Sequence, residues 1–106
     1  MLHEMMPESV NKIVIALCTD YGRRADAIRD RSVTRRTEME YRYINYKMYN
    51  AAVEVVGEDD SEVYISEIGG NIGYVNSEIL HLSEMTYKVN KRAVKENIAR
   101  KLHLID

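Results

Sequence analysis

The sequence predicts an all-α fold, a small bundle of about five to six helices that ends in a helix-turn-helix. Three observations predict it. Pro7 is the only proline, β-branched residues rarely cluster, and apolar residues recur at three-to-four spacing almost throughout, which is the helical period.

The first helix opens at Pro7 to Ser9, where a proline costs nothing because its missing N–H would have no partner in any case. Val10, Ile13, Val14, Leu17, Cys18 and Tyr21 follow as its apolar face, and Gly22 is expected to break it. Arg23 to Arg31 reads as a short second helix with Ala27 and Ile28 inward. Ser32 or Thr34 can cap a third helix over about Thr34 to Val56. This longest element carries two stripes: Tyr41, Ile44, Met48, Ala51, Ala52 and Val55, and on roughly the opposite side Met39, Tyr43, Tyr46 and Val53. A helix with two such stripes is either covered on both faces by core or uses one of them as a homodimer seam.

Gly57 ends the third helix, and Asp60 or Ser61 is expected to cap a fourth that buries Tyr64, Ile65 and Ile68. The run GGNIG, residues 69 to 73, interrupts the pattern as a helix end and hinge. Val75, Ile79 and Leu82 then stand at i, i+4 and i+7, which predicts a short supporting helix from Tyr74 to Leu80. After a turn through Leu80-His81-Leu82, Ser83 is the expected N-cap of a last helix running to His103. Its apolar seam is Tyr87, Val94, Ile98, Leu102 and Ile105. Residues 8–57 and 60–106 are thus the two parts of a single domain, since 106 residues suffice for one core.

Composition sets further bounds. Hydrophobic residues are 45% and charged residues 30% of the chain, a foldable rather than disordered balance. Phe and Trp are absent, so eight Tyr and six Met supply the bulk, and any buried Tyr needs a partner for its hydroxyl. The lone Cys18, inside the apolar run IVIALC, reads as a core thiol in a reducing, cytoplasmic setting. MLHEMMPESV lacks the basic and apolar regions of a signal peptide, and no run is long enough for a bilayer span, so no membrane role is expected.

The net charge of −2 conceals blocks of opposite sign. Arg23 to Arg36 holds six Arg against Asp26 and Asp30. No Lys or Arg lies between Met48 and Tyr87, a stretch with eight acidic residues. Lys88, Lys91, Arg92, Lys95, Arg100 and Lys101 then face only Glu96 before the terminal Asp106. Such an arrangement suits a chain that meets nucleic acid with one surface and a protein with another, or it marks solvated helix faces paired internally.

On the last helix Lys88, Arg92 and Lys95 share an arc away from the seam. A basic outer face on the second helix of a helix-turn-helix is the arrangement that enters a DNA major groove. Ser83, Glu84, Met85, Thr86, Lys88, Arg92 and Lys95 are therefore the candidate DNA-binding residues, with Lys and Thr able to bond base edges or phosphates and Met able to touch a thymine methyl. Arg23, Arg24, Arg35 and Arg36 are candidate backbone contacts, which contribute affinity without reading sequence.

The string LSEMTYKVNKRAVKENIARKL resembles the C-terminal end of the ArpU/RinA-type phage late-gene transcription regulators. The matching positions are Leu82, Ser83, Thr86, Tyr87, Lys91, Ile98, Ala99 and Leu102, and YRYINYKMYNAAVEVVG resembles the long helix that precedes this region in the family. The resemblance spans about residues 34 to 104 and departs from the family at Val89 and Asn90, where a more basic run is expected. It implies a part similar to region 4 of bacterial sigma factors that binds promoter DNA near RNA polymerase.

Other constellations point away from catalysis. GGNIG lacks the Lys and Ser/Thr of a phosphate-binding loop and follows no strand. EDDSE, residues 58 to 62, lacks calcium-loop spacing, and His3, His81 and His103 form no ligand pattern with Cys18. No enzyme activity, metal or cofactor is expected. The competing expectation is a non-enzymatic interaction bundle, such as a phage adapter or a polymerase-associated factor.

Overall fold

The computed structural model describes residues 6–106, so His3 and the start of the N-terminal segment lie outside it. The described residues are helical without strands. They form α1 (Glu8–Thr19), α2 (Tyr21–Asp30), α3 (Arg35–Val56), α4 (Glu58–Gly69) and α5 (Glu84–Lys101), with a single 3-10 turn at Tyr74–Asn76. The sixth, supporting helix expected over Tyr74 to Leu80 is absent, so the tight helix-turn-helix is replaced by α4, an irregular segment and α5.

α3 is the axis. It packs against α2, α4 and α5, while α1 lies across α4 and α5. One cluster joins Val14 and Cys18 of α1, Met48, Ala51 and Ala52 of α3, Tyr64, Ile65 and Ile68 of α4, Ile79, and Tyr87, Val94, Ile98 and Ala99 of α5. Three alanines in it let the backbones approach closely, and Tyr64 and Tyr87 fill the volume with rings stacked 5.6 Å apart. Two offset-stacked aromatics of this kind add about 0.5–1.5 kcal/mol beyond their buried area.

Element ends follow local chemistry. Thr34 and Ser83 cap α3 and α5, their side-chain oxygens each accepting the backbone N–H three residues on, Thr37 and Thr86, at 3.2 Å. Gly57 closes α3 at φ 87°, ψ 170°, a region essentially confined to glycine. α4 starts at Glu58 rather than after Asp60 or Ser61. The three carboxylates Glu58, Asp59 and Asp60 sit in its first turn, where the helix dipole favours them, and Ser61 is buried, bonding back to the Glu58 carbonyl at 3.0 Å. The break between α1 and α2 falls at Asp20, and Gly22 lies inside α2. Ile13, expected inward, is 45% exposed.

Gly69 fixes the crossing of α1 on α4. A Cβ there would lie 2.6 Å from the Thr19 nitrogen and 2.7 Å from the Cys18 carbonyl carbon. Thr19 exploits the approach by donating its hydroxyl to the Gly69 carbonyl at 3.0 Å. Cys18 is buried, and burial pushes its thiol up to about 12, so it is an inert core group as the sequence predicts.

Candidate nucleic-acid interface

The segment between α4 and α5 is held chiefly by one side chain. Glu67 is 2% exposed, and its Oε1 accepts the Ser77 and Tyr87 hydroxyls, each at 2.7 Å. Its Oε2 accepts the Glu78 backbone N–H at 2.7 Å. Ser77 Oγ in turn accepts the Ile79 N–H at 2.9 Å. Side chains thus take up the backbone groups that a supporting helix would need, the competition that disfavours helix at Ser and Asn. As a result Val75 is 91% and Leu80 86% exposed while Ile79 alone turns inward.

Burial acts to raise the Glu67 pKa, but the N–H of Glu78, the hydroxyls of Tyr87 and Ser77 and the charge of Lys91 outweigh it and hold the carboxyl below its ordinary value. Tyr87 responds oppositely: burial and the adjacent carboxylate push its phenol up to about 12, so it stays a donor. Tyr74 completes the clasp by donating to the Leu82 carbonyl at 2.8 Å, just before the Ser83 cap. This network sets where α5 begins and which face it turns outward.

On that outer face Ser83, Glu84, Met85, Thr86, Lys88, Val89 and Arg92 are all exposed. Lys88 Nζ meets Glu84 Oε2 at 2.7 Å, an i,i+4 pair in solvent, whereas Arg92 has no ion-pair or hydrogen-bond partner among the described residues. Met85 and Val89 lie between them at 76% and 56% exposure. Ser83 is already engaged with the N–H and hydroxyl of Thr86. The free face ends after Arg92: Ala99, two turns further along it, is fully buried.

Lys95, expected on the same face, is partly buried and donates to Asn11 Oδ1 of α1 at 3.1 Å. It joins α5 to α1 rather than standing beside Arg92. Lys91 is likewise turned inward, over the Tyr87 ring and onto the Ile72 carbonyl, and burial lowers its pKa.

The arginine block divides. Arg24, a candidate phosphate contact from the sequence, is 3% exposed. Its guanidinium donates to Asn45 Oδ1 and to the Leu17 carbonyl, both at 2.7 Å, and reaches Met48 Sδ at 3.2 Å. It ties α1, α2 and α3 together and cannot meet a phosphate. Arg23 is exposed but bonded to Asp20 at 3.1 Å and lies over Tyr41, and Arg29 is paired with Asp26 and Asp30. Arg35 and Arg36, in the first turn of α3, are exposed without ion pairs among the described residues. α2 makes no contact with α5, so the arginines of α2 stand apart from the α5 face.

The described residues contain no group of three or more His, Cys, Asp or Glu placed to hold a metal ion, and none of their helices is long and apolar enough to cross a membrane. Glu67 is the structural residue that sequence reasoning missed. Its signal was present: Tyr64, Glu67 and Ile68 share a helix face, and a carboxylate on an apolar face has to be hydrogen-bonded there. Its donors Ser77 and Tyr87 carry no local mark. No protein-family model, no curated protein and no solved structure matches the chain.

Proposed function

We propose that the chain is a non-enzymatic DNA-binding protein of the transcription-regulator type, contacting duplex DNA with the first half of α5. One observation carries this reading: Met85, Thr86, Lys88, Val89 and Arg92 stand in solvent on one face while Tyr87 and Val94 anchor the opposite face in the core. A rigidly seated helix with two cations, a hydroxyl and a methionine outward has the chemistry to bond phosphates and touch base edges. The resemblance of this helix to the ArpU/RinA-type regulators supports the same reading and makes promoter DNA beside RNA polymerase the expected setting.

The working contact set is smaller than the sequence suggested, namely Ser83, Met85, Thr86, Lys88 and Arg92, with Glu84 acting as the partner that Lys88 exchanges for a phosphate. The test is fluorescence anisotropy on a labelled duplex from the gene's own upstream region. K88E/R92E should lose binding, and K95Q should keep it.

A second reading rests on Val75, Leu80, Met85 and Val89, four exposed apolar side chains within residues 75–89. Exposed apolar surface rimmed by charge often marks a protein interface, and polymerase or another phage-type protein is the partner it would suit. Wild-type protein that ignores DNA but loses a protein partner on L80S/M85S would favour it.

A further inference from the structure

The exposed stripe of α3 has a pattern that matches itself. Met39, Tyr43 and Tyr46 are 64%, 51% and 64% exposed and stand at i, i+4 and i+7, in one row along the helix. Asn50 and Val53, half-buried, continue the row. From Met39 to Tyr46 the row stands in solvent, although the opposite face of the same helix holds the fully buried Met48, Ala51 and Ala52.

Glu40 and Lys47 lie together on one flank of this row. Glu40 is exposed and unpaired among the described residues, and Lys47 rests over the Tyr43 ring with its nitrogen 5.5 Å from the centroid. Arg42, on the other flank, is already bonded to Glu38 at 2.9 Å.

From these positions we infer that α3 pairs antiparallel with α3 of a second copy of this chain, about a two-fold axis at Tyr43. In an antiparallel helix pair, equal flanks face each other, and positions that meet lie at the same distance from the axis to within about one residue. With Tyr43 on Tyr43 of the partner, Met39 falls opposite Tyr46 and Glu40 falls beside Lys47, each contact occurring twice. In a parallel pair opposite flanks meet, so Lys47 faces Arg42 as a like charge and the Glu40–Lys47 contacts are lost. The occupant that the surface fits is therefore another copy in one orientation and register.

Two tyrosines and a methionine per chain, each partly buried already, cover on the order of 600–1,000 Å² in total, below the range of stable interfaces and within that of weak, transient ones. The dimer should accordingly form in the micromolar range. This pairing does not depend on the DNA reading, though it would place two α5 faces in one particle related by the same axis.

Sedimentation velocity from about 1 to 200 µM tests it, with a strong dissociation constant not expected for so small an interface. Wild type should shift from monomer to dimer across the range. E40K and K47E should each weaken self-association at least tenfold, because one sets positive against positive and the other negative against negative. An equimolar mixture of the two variants should dimerise again, since each then supplies what the other lacks. Both positions are on the outer side of α3, so far-UV circular dichroism should be unchanged. Wild type that remains monomeric at 200 µM, or a dimer that neither single variant weakens, overturns the inference, as does a mixture that fails to recover.

Discussion

Removing the hydrogen-bonding role of Glu67 should loosen the whole 70–82 segment, because no regular structure there replaces it. Glu67→Gln keeps the shape. Its amide oxygen can accept the Ser77 and Tyr87 hydroxyls, but its NH2 then faces the Glu78 N–H, now 2.7 Å from Oε2, as donor against donor. One partly buried donor left unpaired costs about 1–3 kcal/mol, and two charge-assisted bonds reduced to neutral ones add about 1 kcal/mol. The expected loss at pH 7 is about 2–4 kcal/mol, which for a domain of this size lowers Tm by roughly 10 °C or more.

The effect has a pH signature. Because the folded-state carboxyl lies below its ordinary value near 4.5, its contribution is fully present above that value and is lost as pH falls through the folded pKa. Urea unfolding followed by circular dichroism should therefore show the gap between wild type and Glu67→Gln shrinking as pH drops from about 5 to 3. A gap under about 0.5 kcal/mol at pH 7, the size of an ordinary surface change, or one that is constant with pH, would refute the role given to Glu67.

Three further outcomes follow from the packing. Gly69→Ala should destabilise by about 1–3 kcal/mol, since the new methyl meets backbone of α1 that has no rotamer to yield; thermal melts check it. Arg24→Ala should cost about 2–4 kcal/mol by leaving Asn45 Oδ1 and the Leu17 carbonyl short of donors, while leaving any DNA affinity of the folded protein unchanged in anisotropy. Cys18, with its thiol raised to about 12 by burial, should react with a thiol reagent at pH 8 only as fast as the protein opens, so urea should accelerate labelling in step with unfolding.

How much of this was legible in the sequence depended on whether the deciding interaction was local. α3 could be read to within a residue because its cap, Thr34, and its stop, Gly57, act on adjacent backbone. Ser83 marked α5 for the same reason. The supporting helix was misread because Val75, Ile79 and Leu82 do have helical spacing, while the carboxylate that prevents the helix comes from α4. Arg24 and Lys95 were misplaced by the same kind of distance. Each has the spacing of a surface cation, yet Asn45 and the Leu17 carbonyl hold the first and Asn11 holds the second. The Arg29 pairs with Asp26 and Asp30, by contrast, follow from i,i+3 and neighbouring positions that any helix imposes.

The contact face on α5 retains two outward cations, Lys88 and Arg92, and this makes the DNA reading quantitative. Each phosphate contact contributes about 0.9 to the slope of log K against log salt. The most direct measurement is the salt dependence of duplex binding between about 50 and 200 mM, where electrostatic contacts go from weakly to strongly screened. The proposed face predicts a slope of about −2 for one chain and about −4 for a pair, abolished in K88E/R92E and intact in R35E/R36E. Wild-type protein that does not bind at 50 mM salt, or binding that survives K88E/R92E and vanishes in R35E/R36E, would contradict it.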